Sequence, residues 1–446
     1  MTPRNRASAV LVAAALSWAP TPGAQPQSSA PQPAAPPGIL DPQFPVKPLD
    51  DALNEARGNR LASPALERYD AGDYREAARL GLAILGEVPQ QHALRYAVAN
   101  SLAWTGRYDP AIEQYRALLS TEYDARARIG MANVMLWSGQ PDLAERHYLA
   151  VLEREPGNEE ARRGATFSGR ELRTALTLRL TQTQDNQQLK RDELLLTFRQ
   201  WSADRALRWE VGALRDRNDS PQLSSSNRAV MGSVWAVQAP LSPRLEASVY
   251  GDDFFGTAQL EPVRDRLRVR FGRVNWGRLA FNAQALADRL TARTLGVSGE
   301  AYPGIGIVRG RVDGYDISDG NRVVEGELQI TPASQRLPMR LEWFGGVFGR
   351  GAEREDPRYW SPRPAYGLAF IGLRRGWYTD RMDANAWLRA GAGFTATAKT
   401  SWSAGLTGRY WIGRDVAVGL EAWSVDAPRP ADYRMHQVAA FVQHLW

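Results

Sequence analysis

The sequence predicts two architectures in series: a short α-solenoid of helical hairpins, then a transmembrane antiparallel β-barrel of about sixteen strands. Three observations predict it. A segment recurs at spacings of 34 and then 33 residues, hydrophobic periodicity changes from 3.6 to two near Arg173, and the final stretch, HQVAAFVQHLW, alternates up to Trp446. At 446 residues the chain is long enough for two cores, because single ones rarely grow beyond about 250–300 residues.

Residues 1–24 read as an export signal. Arg4 and Arg6 precede the apolar run ASAVLVAAALSW (Ala7–Trp18), which is shorter than the roughly 20 residues of a spanning helix. A cut after Ala24 puts Pro22 at the −3 position, which suits it badly, and a cut after Gly23 puts Thr21 there. QPQSSAPQPAAPPG (Gln25–Gly38) opens a Pro-rich tether, residues 25–60, that lacks the apolar content for a packed core. The chain has no Cys, which excludes a lipoprotein anchor, disulfides and thiolate metal sites. Its formal charge of +6 comes from 55 basic residues spread beside 49 acidic ones. With no dense basic block, and with export expected, nucleic acid is not an expected partner.

Residues 61–168 form the repeat region. AGDYREA (Ala71–Ala77), TGRYDPA (Thr105–Ala111) and SGQPDLA (Ser138–Ala144) align with one another, and ANSLAWTG (Ala99–Gly106) matches ANVMLWSG (Ala132–Gly139). This is the tetratricopeptide period, with about three repeats. Gly72, Gly106 and Gly139 fall where a first helix must end and the chain reverse, and Ala77, Ala111 and Ala144 allow the second helix to approach closely. Pro89 and Pro156 end their repeats. Asn100 and Asn133 hold equivalent positions on the first helix, and either line a groove for a peptide or sugar or lie on a solvated helix face. Trp104 and Trp137 read as core between repeats.

From residue 172 to 446 the pattern is that of strands. LTLRL (Leu176–Leu180) sets three Leu against Thr177 and Arg179, and RDRLRVRF (Arg264–Phe271) sets Leu267, Val269 and Phe271 against four Arg. Comparable runs include DELLLTFRQW (Asp192–Trp201), LRWEVGAL (Leu207–Leu214), RLAFNAQAL (Arg278–Leu286), RVVEGELQI (Arg322–Ile330), RLPMRLEWF (Arg336–Phe344), SWSAGLTGRYW (Ser401–Trp411) and DVAVGLEAW (Asp415–Trp423). A soluble sandwich also alternates, but here the polar face carries long charges on strand after strand. Trp343, Trp360, Trp377, Trp402, Tyr410 and Trp411 suit the aromatic girdles of an outer-membrane barrel. Val438, Ala440, Val442, His444 and Trp446 share one face, so the last aromatic is expected on the lipid side. That ending resembles the recognition signature of proteins inserted by the barrel assembly machinery.

If lipid takes the apolar face, parity sends Arg264, Arg266, Arg268, Arg270, Arg309, Arg311, Asp313, Glu325, Glu327, Arg340 and Glu342 to the interior, with Asn282 and Gln284 beside them. Such a wall either conducts a polar polymer or satisfies itself through cross-strand ion pairs in a plugged barrel. DGYDISDGN (Asp313–Asn321) reads first as turn chemistry.

Together these features resemble the exopolysaccharide export porins, which include the poly-N-acetylglucosamine and bacterial cellulose exporters. LAWTGRY (Leu102–Tyr108) is similar to their repeats, RYWSPRPAYGLAF (Arg358–Phe370) resembles a segment opening a late strand, and YDISDGNR (Tyr315–Arg322) is similar to the poly-N-acetylglucosamine type. The resemblance covers residues from about 65 onward, and implies passive export of a nascent glycan through the lumen. It also implies repeats that dock the polymer or proteins of glycan synthesis in the periplasm or inner membrane, with no catalytic residue and no cofactor. Three repeats are fewer than the family usually carries, which gives a short periplasmic arm. A non-conducting assembly or surface receptor protein is the competing expectation. For an enzyme, the four His residues are badly placed: His92 and His147 lie in the repeats, while His436 and His444 lie on the expected lipid face. That leaves no lumenal base and no His cluster for zinc, and a carboxylate pair as the remaining route.

Overall fold

Among the described residues, seven helices form the first part: α1 (Ser63–Asp70), α2 (Tyr74–Glu87), α3 (His92–Trp104), α4 (Tyr108–Arg116), α5 (Asp124–Trp137), α6 (Pro141–Leu152) and α7 (Glu159–Leu172). The computed structural model describes residues 62–446 except 222, 264–265, 304–305, 333–340, 364, 380, 396–399 and 428–432, so the expected export signal and tether lie outside the described residues. Each hairpin reverses at a left-handed glycine: Gly72 at φ 78°, Gly106 at 71° and Gly139 at 71°. The next amide closes back on the helix, Asp73 on Arg68, Arg107 on Leu102 and Gln140 on Met135, at 2.8, 2.8 and 2.9 Å. This six-to-one closure satisfies carbonyls that the helix end would otherwise leave open.

What joins one hairpin to the next is a buried polar clamp. Tyr115 donates its hydroxyl to Asn100 Oδ1 at 2.6 Å, and Asn100 Nδ2 donates to the Tyr69 hydroxyl at 3.0 Å. One repeat on, Tyr148 donates to Asn133 Oδ1, and Asn133 Nδ2 reaches Glu160 at 3.5 Å. The two rings fill the space where a Cβ would stand at Gly130 and Gly164, so only glycine admits them. Asn100 and Asn133 are 3% and 0% exposed. They therefore line no groove and lie on no solvated face, because the facing tyrosine hydroxyl needs a buried partner. Trp104 does pack between helices, 5.6 Å from Tyr69 and 4.5 Å from Tyr74.

α7 runs to Leu172, beyond the expected limit at 168, because its buried stripe of Ala161, Gly164, Ser168 and Leu172 continues without a break. Eight strands then follow as β1 (Ala175–Asp185), β2 (Lys190–Trp201), β3 (Leu207–Asp219), β4 (Ser224–Ala236), β5 (Arg244–Tyr250), β6 (Asp253–Val263), β7 (Leu267–Asn275) and β8 (Thr291–Ala301). The second eight are β9 (Gly306–Ile317), β10 (Arg322–Pro332), β11 (Glu342–Ala352), β12 (Tyr366–Tyr378), β13 (Met382–Gly393), β14 (Thr400–Ile412), β15 (Val416–Ala427) and β16 (Tyr433–Leu445). Each pairs antiparallel with its neighbours, and β16 returns to β1 with Val442 opposite Leu178, closing a sixteen-strand barrel. The expected strand over Arg278–Leu286 is instead two helical turns, α8 (Trp276–Ala280) and α9 (Ala283–Ala287). Asn275 and Asn282 cap them, accepting from Arg278 N and from Gln284 N and Ala285 N, all at 3.0 Å.

The outer face is apolar: Leu180 is 57% exposed, Leu295 58%, Ile371 59% and Val230 66%. Large aliphatic side chains left open in this way on strand after strand need a lipid solvent. The cylinder spans the bacterial outer membrane. The helices precede β1 and so lie on the periplasmic side, with even-to-odd turns at that end and odd-to-even loops, including residues 276–290, at the outer end. Trp402, Tyr410 and Trp446 stand on the lipid face as expected. Trp360 and Trp411 do not. Trp360 stacks on Phe348 at 5.9 Å inside the barrel, and Trp411, 4% exposed, points inward beneath the Arg170 guanidinium, 4.1 Å away.

Replacing Asn133 with Ala leaves the buried Tyr148 hydroxyl unpaired, and is expected to destabilise the repeats by about 1–3 kcal/mol. Helix melting of the full chain in detergent, followed at 222 nm, checks this, with the heat-modifiable gel mobility of the barrel unchanged. Burial holds the Glu160 carboxyl above its usual range, against the lowering effect of the Asn133 hydrogen bond. A carboxyl raised on folding contributes its stability fully below the ordinary value of about 4.3, and loses it as pH rises through the folded value. Glu160→Gln is therefore expected to raise the repeat melting temperature at pH 7 and to leave it nearly unchanged at pH 4.

Candidate functional site

The inward residues of β6–β13 form a charged wall whose members pair sideways. Arg270 reaches Asp313 at 3.3 Å, Arg311 reaches Asp313 at 2.9 Å and Glu325 at 3.2 Å, and Arg350 reaches Glu325 at 2.7 Å. Arg268 pairs with Glu261 at 3.0 Å, Arg309 with Glu300 at 2.5 Å, Glu342 with Arg374 at 2.7 Å and Glu327 with Arg389 at 3.7 Å. Asp313 and Glu325 are each 2% exposed, so these charges are held by one another more than by lumenal water. Of the expected wall residues, Arg268, Arg270, Arg309, Arg311, Asp313, Glu325, Glu327 and Glu342 thus come together. Arg266 instead serves the inner rim, donating to the Gly106 carbonyl of the repeats and lying 5.6 Å from the Tyr302 ring. Asn282 and Gln284 are part of the helical turns: Asn282 is a cap and Gln284 donates to Asp288 at 2.7 Å. Arg264 and Arg340 lie outside the described residues. Glu261, Glu300, Arg350, Arg374 and Arg389 complete the wall, and their inward parity was the signal that would have found them.

The 276–290 hairpin folds into the outer end of the lumen. Arg278, 5% exposed, donates to Asp216 on β3 and Glu193 on β2. Asp216 also accepts from the Tyr250 hydroxyl at 2.6 Å, from Asn218 at 3.2 Å and from Asn227 at 3.1 Å. Arg191 lies 4.7 Å from the Phe281 ring, and Phe281 packs with Leu189, Trp423, Val425, Tyr433 and Met435. Trp276 meets Tyr315 on β9 at 4.9 Å and Tyr359 at 5.5 Å. β9 stands opposite β1 in a ring of sixteen, so the hairpin bridges the lumen from one wall to the other. Arg358, in the β11–β12 loop, ties it down through Asp288 at 2.9 Å, Asp319 at 2.7 Å and Asp356 at 2.7 Å.

At the inner end the repeats seat on the rim. The Trp201 indole N–H donates to the Glu171 carbonyl at 2.9 Å, Arg205 donates to the Leu172 carbonyl at 2.6 Å, and Arg173 reaches Asp415 at 2.7 Å. Gly106 abuts Tyr302 in the β8–β9 turn, and Gly139 faces Trp235 at the end of β4. Two of the three glycine turns that reverse the hairpins, Gly106 and Gly139, thus also meet the barrel.

No family model matches the chain, and no curated protein matches it. Among solved structures it is similar to a bacterial polysaccharide outer membrane secretin, with 13% identity and a TM-score of 0.47 over 62% of this chain and 99% of that one. It is similar also to the translocator domain of the autotransporter NalP from Neisseria meningitidis, with 10% identity and a TM-score of 0.28 over 68% and 97%. A third is OccK11 (OpdR) of Pseudomonas aeruginosa, with 10% identity and a TM-score of 0.32 over 61% and 95%. None of these likenesses reaches a TM-score of 0.5, and none bears on what passes through the barrel.

Arg278→Ala leaves Glu193 and Asp216 without their cation, a loss of about 3–5 kcal/mol where a buried pair is broken. The hairpin is expected to loosen. Phe281, buried in the native chain, then becomes open to chymotrypsin added from the outer side, and the cleavage pattern of proteoliposomes checks this.

Proposed function

We propose that the chain is an outer-membrane porin that exports a polysaccharide through its lumen. The 276–290 hairpin closes it at rest, and the repeats offer a periplasmic seat for the polymer or for proteins of glycan synthesis. The observation that carries this reading is a continuous sixteen-strand cylinder crossed, among the described residues, by connecting loops at its outer end, with none of its strands departing from the wall. A crossing made by a loop can leave without breaking the barrel ladder. The polar interior suits a hydroxylated chain, whose hydrogen bonds to water exchange for bonds to Arg, Asn and Gln side chains. Movement through such a path is driven by synthesis on the inner side and needs no catalytic group.

A second reading has its own support. The charged wall pairs with itself and Arg278 is locked between two carboxylates, which also suits a permanently plugged barrel that serves as an assembly or surface receptor protein.

Planar-bilayer recording separates the two. Full-length protein is expected to be mostly silent with brief openings, and a variant with residues 276–290 replaced by a short Gly-Ser turn is expected to carry a large steady current. A folded variant that stays silent would overturn the conduit. Loss of surface glycan on deletion of the gene checks the cargo.

A further inference from the structure

On the outside of the barrel, charges that face one another across the ladder have opposite signs in most places. Arg322 stands opposite Asp316 and reaches it at 3.6 Å, and Arg434 stands opposite Asp426 and reaches it at 3.2 Å. Two places differ. On β3–β4 Arg215 stands directly opposite Arg228, and on β7–β8 Arg273 stands directly opposite Arg293. Like charges set across from each other in a ladder repel.

All four arginines are exposed. Leu214, Asp216 and Ala229 on β3–β4, and Ala292 and Thr294 on β8, take the inward parity and are buried, so the arginines between them stand on the lipid side. Among the described residues, the side chains of Arg215, Arg228 and Arg293 make no ion pair or hydrogen bond. Arg273 donates to the Phe254 carbonyl at 3.2 Å and lies 5.5 Å from the Phe255 ring. The neighbouring outward carboxylates are already engaged, Asp219 by Arg217 at 3.3 Å, Asp192 by Lys190 at 3.3 Å, and Asp316, which also stands opposite Arg293, by Arg322.

Both pairs sit where the apolar outer face ends. On β3 the outward residues are apolar from Leu207 to Ala213 and then turn to Arg215, and on β4 Val230 is the last before Arg228. Phe271 and Leu295 are the last before Arg273 and Arg293. From Leu207 to Arg215 a strand tilted by about 40° climbs roughly 20 Å, which is most of the height of an apolar band of about 25 Å. The guanidinium groups therefore stand at the headgroup level of the outer leaflet.

Facing residues hold their Cβ atoms about 5 Å apart, so two guanidinium forks converge on one anion between them. A phosphate monoester carries close to two negative charges near pH 7 and three acceptor oxygens, and so matches two cations in charge and in geometry. A zwitterionic headgroup brings its own ammonium beside a single negative charge and matches them less well. We propose that Arg215 and Arg228 clamp the phosphate monoester of an anionic outer-leaflet lipid, and that Arg273 and Arg293 form a second, weaker clamp on the same margin. The proposal rests on the barrel and its membrane, and is independent of what the lumen carries.

Native mass spectrometry of the full chain in detergent tests it, with diphosphoryl lipid A as the probe. An Arg293→Gln background leaves one facing pair. In that background Arg215→Gln and Arg228→Gln are each expected to weaken lipid A binding about tenfold, the scale of one charge-assisted hydrogen bond. Removing both phosphates from the lipid is expected to weaken it at least as much. Arg414→Gln, the same change of charge at the inner rim, is expected to leave binding unchanged, as is an equal concentration of inorganic phosphate. Unchanged gel mobility reports intact barrels. Equal binding of the dephosphorylated lipid, indifference to both glutamines, or an equal loss with Arg414→Gln overturns the clamp. Displacement of the lipid by inorganic phosphate overturns the lipid as its ligand.

Discussion

Every backbone amide and carbonyl of a lipid-embedded strand must find its partner inside the protein, because hydrocarbon offers none. The joint between β1 and β16 is where this chain meets that demand, along eleven consecutive residue pairs from Ala175 with Leu445 to Asp185 with Met435. Once the sheet is closed there is no edge to shift along, so the parity of every side chain is fixed. Leu176, Leu178 and Leu180 must face lipid, and Thr177, Arg179 and Thr181 must face the lumen. The location of the charges follows from this closure, as does their chemistry. An Arg that cannot turn outward must find a carboxylate within reach, and Arg179 finds Glu421 two strands away.

The interior meets this demand in two ways. On β7–β11 it packs long charges against one another, so that Asp313 and Glu325 are almost wholly withdrawn from water. On β11–β15 it alternates ring and glycine, with Phe344 over Gly372 and Trp387 over Gly405. Both arrangements need the lateral spacing of about 4.8 Å between strands, which sets an inward side chain directly against its neighbour on the next strand.

Much of this was legible in the sequence, because periodicity reports solvent. Strand after strand followed alternation, the repeat spacing gave the helical hairpins, and the glycine turns were readable from Gly72, Gly106 and Gly139. What was not legible required knowing which residues meet. Asn100 and Asn133 were visible as a repeated pair, but their partners lie fifteen residues on in the next helix, at Tyr115 and Tyr148. Arg278–Leu286 alternates over a few residues and so passes for a strand. The caps at Asn275 and Asn282 decide otherwise. Trp360 and Trp411 were assigned to the lipid interface by residue type alone, while register and loop path turn them inward.

For the hairpin to act as a gate, its hold must be firm at rest and yet reversible. Burying Phe281 and Trp276 contributes about 1.5–3 kcal/mol each, enough on its own to keep the closed arrangement dominant by more than a hundredfold. The Arg278 contacts act differently. In opening, both carboxylates and the guanidinium regain water from the lumen, so separating them intact costs far less than deleting one of them. Fluctuation alone would therefore open such a gate only rarely. Under the export reading proposed above, the several kcal/mol that release requires come from a polymer end pushed outward from the periplasmic side, which presents hydroxyls to the freed charges and an apolar ring face to the freed aromatics.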